Sequence, residues 1–162
     1  MELNDVAAEV AALAEALRRR GWRLASAESC TGGLIAAACT SVAGSGDWVD
    51  CGAVTDSNAA KTEWLGVVPA LIVRHGAVSE AVALAMARGL LVRAPVQLAV
   101  AVTGIAGPGG AVPGKPVGTV WLAIADHAGA KAERLQLGGD RAAVRAATVR
   151  IALARLREAA SG

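Results

Sequence analysis

Three short segments of the chain carry residue types that could do chemistry together. The first is Ala27-Glu28-Ser29-Cys30-Thr31-Gly32-Gly33, a hydroxyl and a thiol set beside two glycines. The second is Thr55-Asp56-Ser57-Asn58-Ala59-Ala60-Lys61, which ends on an amine. The third is Thr103-Gly104-Ile105-Ala106-Gly107-Pro108-Gly109-Gly110, running on to Lys115-Pro116-Val117-Gly118-Thr119. The first reads as a strand-to-helix junction, where unpaired backbone N–H groups and the positive end of a helix dipole meet. A nucleophile there, Ser29, would find donors for an oxyanion. Lys61 falls in the first turn of a helix, where a cation is disfavoured and the amine pKa tends to fall. A neutral lysine can serve as base to a serine. The third segment follows an apolar strand, and ligands of open α/β sheets bind beyond the carboxyl ends of strands. It matches neither the phosphate-loop pattern nor the dinucleotide fingerprint.

Each segment also has a plainer reading. Ser29 or Thr31 caps a helix, Lys61 is a surface cation, and the glycine-rich loop is a turn. Cys30 is a rival nucleophile, because a helix N-terminus lowers a thiol pKa. A cysteine hydrolase needs a histidine relay, however, and neither His75 nor His127 has the context of a dyad.

Composition narrows the remaining chemistry. The chain has 162 residues, 54% of them hydrophobic and 19% charged, which fits one globular domain over residues 1–162 rather than disorder. Phe and Tyr are absent, so no phenol is available as acid, base or donor, and Val, Leu, Ile and Ala must build the core. The net charge of +2 is nearly balanced. The basic run Arg18-Arg19-Arg20 suits the C-terminal end of a helix dipole, and no aromatic platform accompanies it, so no nucleic-acid partner is expected. Cys30, Cys39 and Cys51 are odd in number and lack Cys-x-x-Cys spacing. That fits neither a disulfide framework nor a zinc site, and no metal or cofactor is expected. No signal peptide or membrane-length apolar run is visible, which points to a cytoplasmic protein without a membrane partner.

The elements that must position these residues follow from periodicity. Val6, Val10, Leu13 and Leu17 form one stripe of a helix stopped by Gly21. Residues 22–27 read as a strand, 34–42 as a small-residue helix, and 48–55 as a second strand. Ser57 or Asn58 caps a helix that carries Lys61 and Trp64 and ends at Gly66. Pro69 opens a helical turn to His75, and Ser79-Glu80 caps a helix to about Leu91, with Val82, Met86 and Leu90 on one face. Val96 to Val102 reads as a buried strand. Residues 117–125 and 131–137 read as a hairpin about Asp126-His127-Ala128-Gly129. Asp140 caps the last helix, with Val144, Ala147, Ile151 and Ala154 in register. The expected fold is a three-layer α/β/α sandwich around a mixed, mostly parallel sheet.

The phrases AESCTGGLIAA, VAGSGDWVDCGAVT-SN-AK, LGV, HGAVSE, VAVTGIAGPGG, KPVGTVWLA and GDRAAVR resemble, over residues 5–158, the C-terminal domain of the competence/damage-inducible protein CinA, the nicotinamide-nucleotide amidohydrolase (PncC) family. The resemblance implies hydrolysis of nicotinamide mononucleotide to nicotinic acid mononucleotide and ammonia. It implies Ser29 as nucleophile and Lys61 as base, with Thr31, Gly32 and Gly33 in the turn beside the nucleophile, the backbone from Cys30 to Gly33 holding the oxyanion, and Asn58, Thr103 and Gly104 lining the pocket. Arg141 and Arg145 match the closing motif and are candidates to meet a phosphate. A homodimer or higher homo-oligomer is implied at family level. One position departs from the pattern: Asp56 stands where the family carries a tyrosine of the catalytic group. That departure keeps open a second reading, a nucleotide-binding or regulatory module of low or no activity.

Overall fold

A computed structural model describes residues 1–162. Five strands, β1 (Leu24–Glu28), β2 (Val49–Val54), β3 (Leu98–Gly104), β4 (Thr119–Asp126) and β5 (Gly129–Gln136), form one sheet in the order β2-β1-β3-β4-β5. β2, β1 and β3 run parallel, and β4 and β5 close the sheet as antiparallel neighbours. Six helices cover the sheet: α1 (Ala7–Arg20), α2 (Leu34–Cys39), α3 (Asn58–Leu65), α4 (Pro69–His75), α5 (Glu80–Arg93) and α6 (Arg141–Ser161). α1, α2 and α6 pack together on one face, and α3, α4 and α5 lie on the other. This is the three-layer sandwich expected from the alternating pattern.

The period-2 alternation of the strands divides side chains by size. Leu24, Leu98, Val100, Val102, Val120, Leu122 and Ile124 point to the α1/α2/α6 face. Ala25, Ala27, Ala99, Ala101, Ala123 and Ala125 point to the α5 face. Large aliphatics fill the space under the long helices, while the alanine face lets α5 sit close to the sheet. The close fit continues between helices: a Cβ on Gly89 of α5 would stand 2.0 Å from the Leu65 carbonyl oxygen of α3. Gly89 therefore fixes how near the lysine-bearing helix approaches.

The helix stripes follow the sequence: Val6 at the N-cap of α1 with Val10, Leu13 and Leu17 inside it, and Val82, Met86 and Leu90 of α5, are all buried. The stripe expected for α6 is corrected. Val144 is buried, but Ala154 is exposed and Ala147 and Ile151 are half-buried. The buried positions are Val144, Thr148, Val149, Ala152, Leu153, Leu156 and Ala160. The assumed 3-4-3 spacing ran off the stripe, and the helix turned its largest aliphatics, Leu153 and Leu156, to the core. Helix starts follow local capping: Ser57, Ser79 and Asp140 accept from Ala60, Val82 and Ala143 amides at 3.0, 3.3 and 2.9 Å. No helix is long and apolar enough to cross a membrane.

Candidate active site

Ser29 sits one residue beyond the end of β1, the strand between β2 and β3. Its backbone is tied to the sheet by its own N–H, which donates to the Val102 carbonyl at 3.1 Å. The chain then turns through Cys30 to Gly33, with the Gly32 N–H bonded back to the Ser29 carbonyl at 3.1 Å. Gly32 and Gly33 have φ of 58° and 101°, values that favour glycine, so the tight turn requires both. Neither Ser29 nor Thr31 caps α2, contrary to the plainer reading of this segment. Gly33 is the N-cap, and the first-turn amides of Ile35 and Ala36 go instead to the buried carboxylate of Glu28, at 2.8 and 3.0 Å. The amides of Cys30, Thr31 and Gly33 donate to no other residue.

Lys61 arrives from the opposite layer. Its side chain is buried, at 1% exposure, and its Nζ lies 3.2 Å from Ser29 Oγ. Nζ also lies 2.8 Å from the Thr55 carbonyl and 3.2 Å from the Asp56 carbonyl. A neutral amine has two N–H donors and one lone pair. Two carbonyls can take the donors, which leaves the lone pair facing the serine hydroxyl. Burial pulls the Lys61 pKa below its ordinary value, and the Asp56 charge acts in the opposite direction. The direction expected from the helix position is found, but loss of solvent is its principal cause. Asp56 itself is exposed, and what touches Nζ is its carbonyl rather than its carboxylate.

Cys30 is buried beside Ser29, and burial pushes its thiol up to about 11. The lowered thiol pKa expected at a helix N-terminus is therefore corrected. The chain keeps this thiol out of water and stacks it under Gly104, where a Cβ would stand 3.1 Å from Cys30 Sγ and 2.6 Å from Val120. A protonated thiol without a base is a packing group. Thr31 is buried and donates its hydroxyl to Glu28 at 2.6 Å. Thr103 is also buried, and its hydroxyl goes to the Ala77 carbonyl at 2.9 Å, tying β3 to the segment before α5.

The remaining candidates are spread about the site. Arg145 donates through Nε and Nη2 to the carbonyls of Cys30 and Thr31, at 3.1 and 3.3 Å, so it grips the turn after Ser29 from α6. Arg141 donates to the Gly107 carbonyl at 2.8 Å. Both arginines line a groove of about 670 Å³ with Ala106, Pro108, Val117 and Asp140. Asn58 is exposed and lines a different hollow, between α3 and α4, with Thr62 and Ile72. The residue that sequence reading missed is Glu28. Its signal was a carboxylate at the last position of an otherwise uncharged strand, where only a set of donors can keep it inside.

The model of the CinA C-terminal domain matches residues 6–160 of this chain. The chain belongs to the CinA C-terminal domain family. A nicotinamide-nucleotide amidohydrolase PncC from Pseudomonas putida is 52% identical over 141 residues, covering 87% of this chain and 88% of that protein. A protein of the same name from Enterobacter agglomerans is 50% identical, with 88% and 86% covered. A longer CinA-like protein from Citrifermentans bemidjiense is 54% identical over 90% of this chain, but over 35% of its own length. Among solved structures, the competence/damage-inducible protein CihA from Agrobacterium tumefaciens superposes with a TM-score of 0.93 at 44% identity, covering 98% of this chain and 96% of that one.

Proposed function

We propose that the protein hydrolyses the carboxamide of nicotinamide mononucleotide, giving nicotinic acid mononucleotide and ammonia, with Ser29 as nucleophile and Lys61 as its base. The observation that carries this is the buried amine of Lys61, 3.2 Å from Ser29 Oγ and otherwise in contact with two carbonyls. The names of the PncC relatives supply the substrate class. In the first half-reaction the Ser29 proton passes to Nζ as Oγ bonds to the amide carbon. The free amides of Cys30 and Gly33 are the available oxyanion donors. The C–N bond then breaks, and Nζ returns the proton to the departing nitrogen, releasing ammonia. In the second half, Lys61 takes a proton from water as its oxygen attacks the ester carbon. The acid leaves, and Ser29 recovers its proton.

Burial favours the neutral amine, the form this cycle needs at its start. The groove bearing Arg141 and Arg145 carries two cations against the single carboxylate of Asp140, which suits a nucleotide phosphate. Asp56 favours the competing reading, binding without turnover, because its charge works against a neutral lysine. Incubation with nicotinamide mononucleotide, with ammonia and nicotinic acid mononucleotide both quantified, separates the two. Equimolar release of both products supports the hydrolase; saturable nucleotide binding without ammonia overturns it.

A further inference from the structure

Glu28 is 0% exposed, yet no cation pairs with it. Its charge is met by four donors. Oε1 accepts from the Thr31 hydroxyl at 2.6 Å and the Ile35 amide at 2.8 Å. Oε2 accepts from the Ala36 amide at 3.0 Å and, more weakly, from the Ser26 hydroxyl at 3.5 Å. These donors come from β1, from the turn after it, and from the first turn of α2, the pieces that flank Ser29. Strand alternation explains the location. Glu28 follows Leu24 and Ser26 on the α2 side of the sheet, so the next residue, Ser29, is turned toward the layer that holds Lys61.

We infer that Glu28 is a positioning residue for the nucleophile, a buried carboxylate that locks β1 to α2 and thereby sets where Ser29 Oγ meets Lys61 Nζ. It touches neither reacting atom. It also leaves the oxyanion donors free: the α2 amides of Ile35 and Ala36 are consumed by Glu28, while those of Cys30 and Gly33 stay available. Burial and the Asp56 carboxylate, rather than Glu28, move the Lys61 pKa, so Glu28 acts through geometry.

Glu28→Gln is the sharpest test. A glutamine keeps the shape but replaces one acceptor oxygen by an NH2. In either orientation that NH2 faces a backbone N–H of Ile35 or Ala36, and a backbone donor, unlike a hydroxyl, cannot reverse. The turn must shift, and a misplacement of about 1 Å can lower a rate about 100-fold. The inference rests on the Ser29-Lys61 reading, so Ser29→Ala is assayed beside it; activity in that variant would overturn the reading itself. With Ser29→Ala inactive, the folded Glu28→Gln protein is expected to lose about 10- to 100-fold in kcat. Its KM should stay within about threefold and the acid limb of its pH–rate profile should stay in place, a pattern of lost transition-state contacts alone. The rate of covalent labelling of Ser29 by a fluorophosphonate should fall with kcat and still reach one label per chain. Wild-type kcat, a change confined to KM, a displaced acid limb, or incomplete labelling would each overturn the positioning role. Should Glu28→Gln fail to fold, Thr31→Val decides, because it removes only the 2.6 Å hydroxyl donor. A fall in kcat of about three- to tenfold at constant KM supports the inference, and an unchanged kcat overturns it.

Discussion

The two halves of the Ser29–Lys61 pair are held in different ways. Ser29 stands at the middle of the sheet, where β1 has a neighbour on each side, and its turn is fastened by Val102, Glu28 and Arg145. Lys61 comes from the margin: β2 is an edge strand with Cys51, Gly52 and Val54 exposed, and the chain from Asp56 to Ala59 is exposed as well. Two backbone carbonyls of that marginal segment fix the amine. Ser29 is thus held by the interior, whereas Lys61 is held by the chain between β2 and α3, where the charge of the exposed Asp56 reaches it. Position belongs to the first region and proton affinity to the second.

The largest effect should come from Ser29→Ala. Loss of the nucleophile is expected to lower deamidation by at least about 1,000-fold. The fold should survive, since the side chain caps nothing; ammonia release and thermal melting measured together check both halves. Residual turnover above a tenth of wild type would remove Ser29 from the chemistry.

Lys61→Met keeps the length and apolar fit of the stem but removes the base. A loss of about 100- to 10,000-fold is expected. Combined with Ser29→Ala it should add almost nothing, because the two act as a unit. Additive losses in that double variant would show that the regions work independently and would break the comparison.

Asp56 sharpens it. Its charge raises the Lys61 pKa while burial lowers it. The acid limb of the rate follows deprotonation of Lys61, so activity rises with pH through that pKa. Removing the carboxylate lowers the pKa and moves the limb to lower pH. Asp56→Tyr and Asp56→Asn should therefore both raise turnover near pH 7 by a few-fold, with Glu28→Gln leaving the limb in place. A shift of one unit corresponds to about 1.4 kcal/mol, and the exposure of Asp56 makes a smaller shift the expectation. Superimposable acid limbs would show that the surface segment does not tune the base.

The smallest effect belongs to Cys30→Ala. The thiol, pushed up to about 11 by burial, is protonated at neutral pH and serves as packing against Gly104. Turnover should stay within about threefold, and stability should fall by about 1 kcal/mol for the lost contacts. Abolished turnover in a folded protein would transfer the nucleophile to sulfur.

Much of the scaffold was legible in the sequence because it rests on local rules. The apolar run of β3, the caps Ser57, Ser79 and Asp140, and the stops at Gly21 and Gly66 each depend on a residue and its near neighbours. Ser29 was legible as a hydroxyl at a strand-to-helix junction and Lys61 as an amine in the first turn of a helix, and the family motifs singled them out. Their distance was not, because 32 positions of chain separate them, and the pairing of β1 with β2 together with the packing of α3 against α5, with Gly89 admitting Leu65, closes the gap. The α6 stripe was misread because a helix rich in alanine offers several apolar faces, and the surface it meets selects one.

The sequence by itself determined the order of elements, the absence of a phenolic side chain, a serine in the turn between a strand and a helix, and a lysine in the first turn of another helix. The tertiary structure decided which groups those residues meet. Burial turns Lys61 toward its neutral form and Cys30 toward inertness, and neither effect can be read from neighbours in the chain. It also decided the role of Glu28, since a carboxylate seven and eight residues before the amides of Ile35 and Ala36 becomes their acceptor only when the turn folds back over the strand. Desolvation and long-range hydrogen bonds depend on what surrounds a group in space, and that is settled only when the layers close.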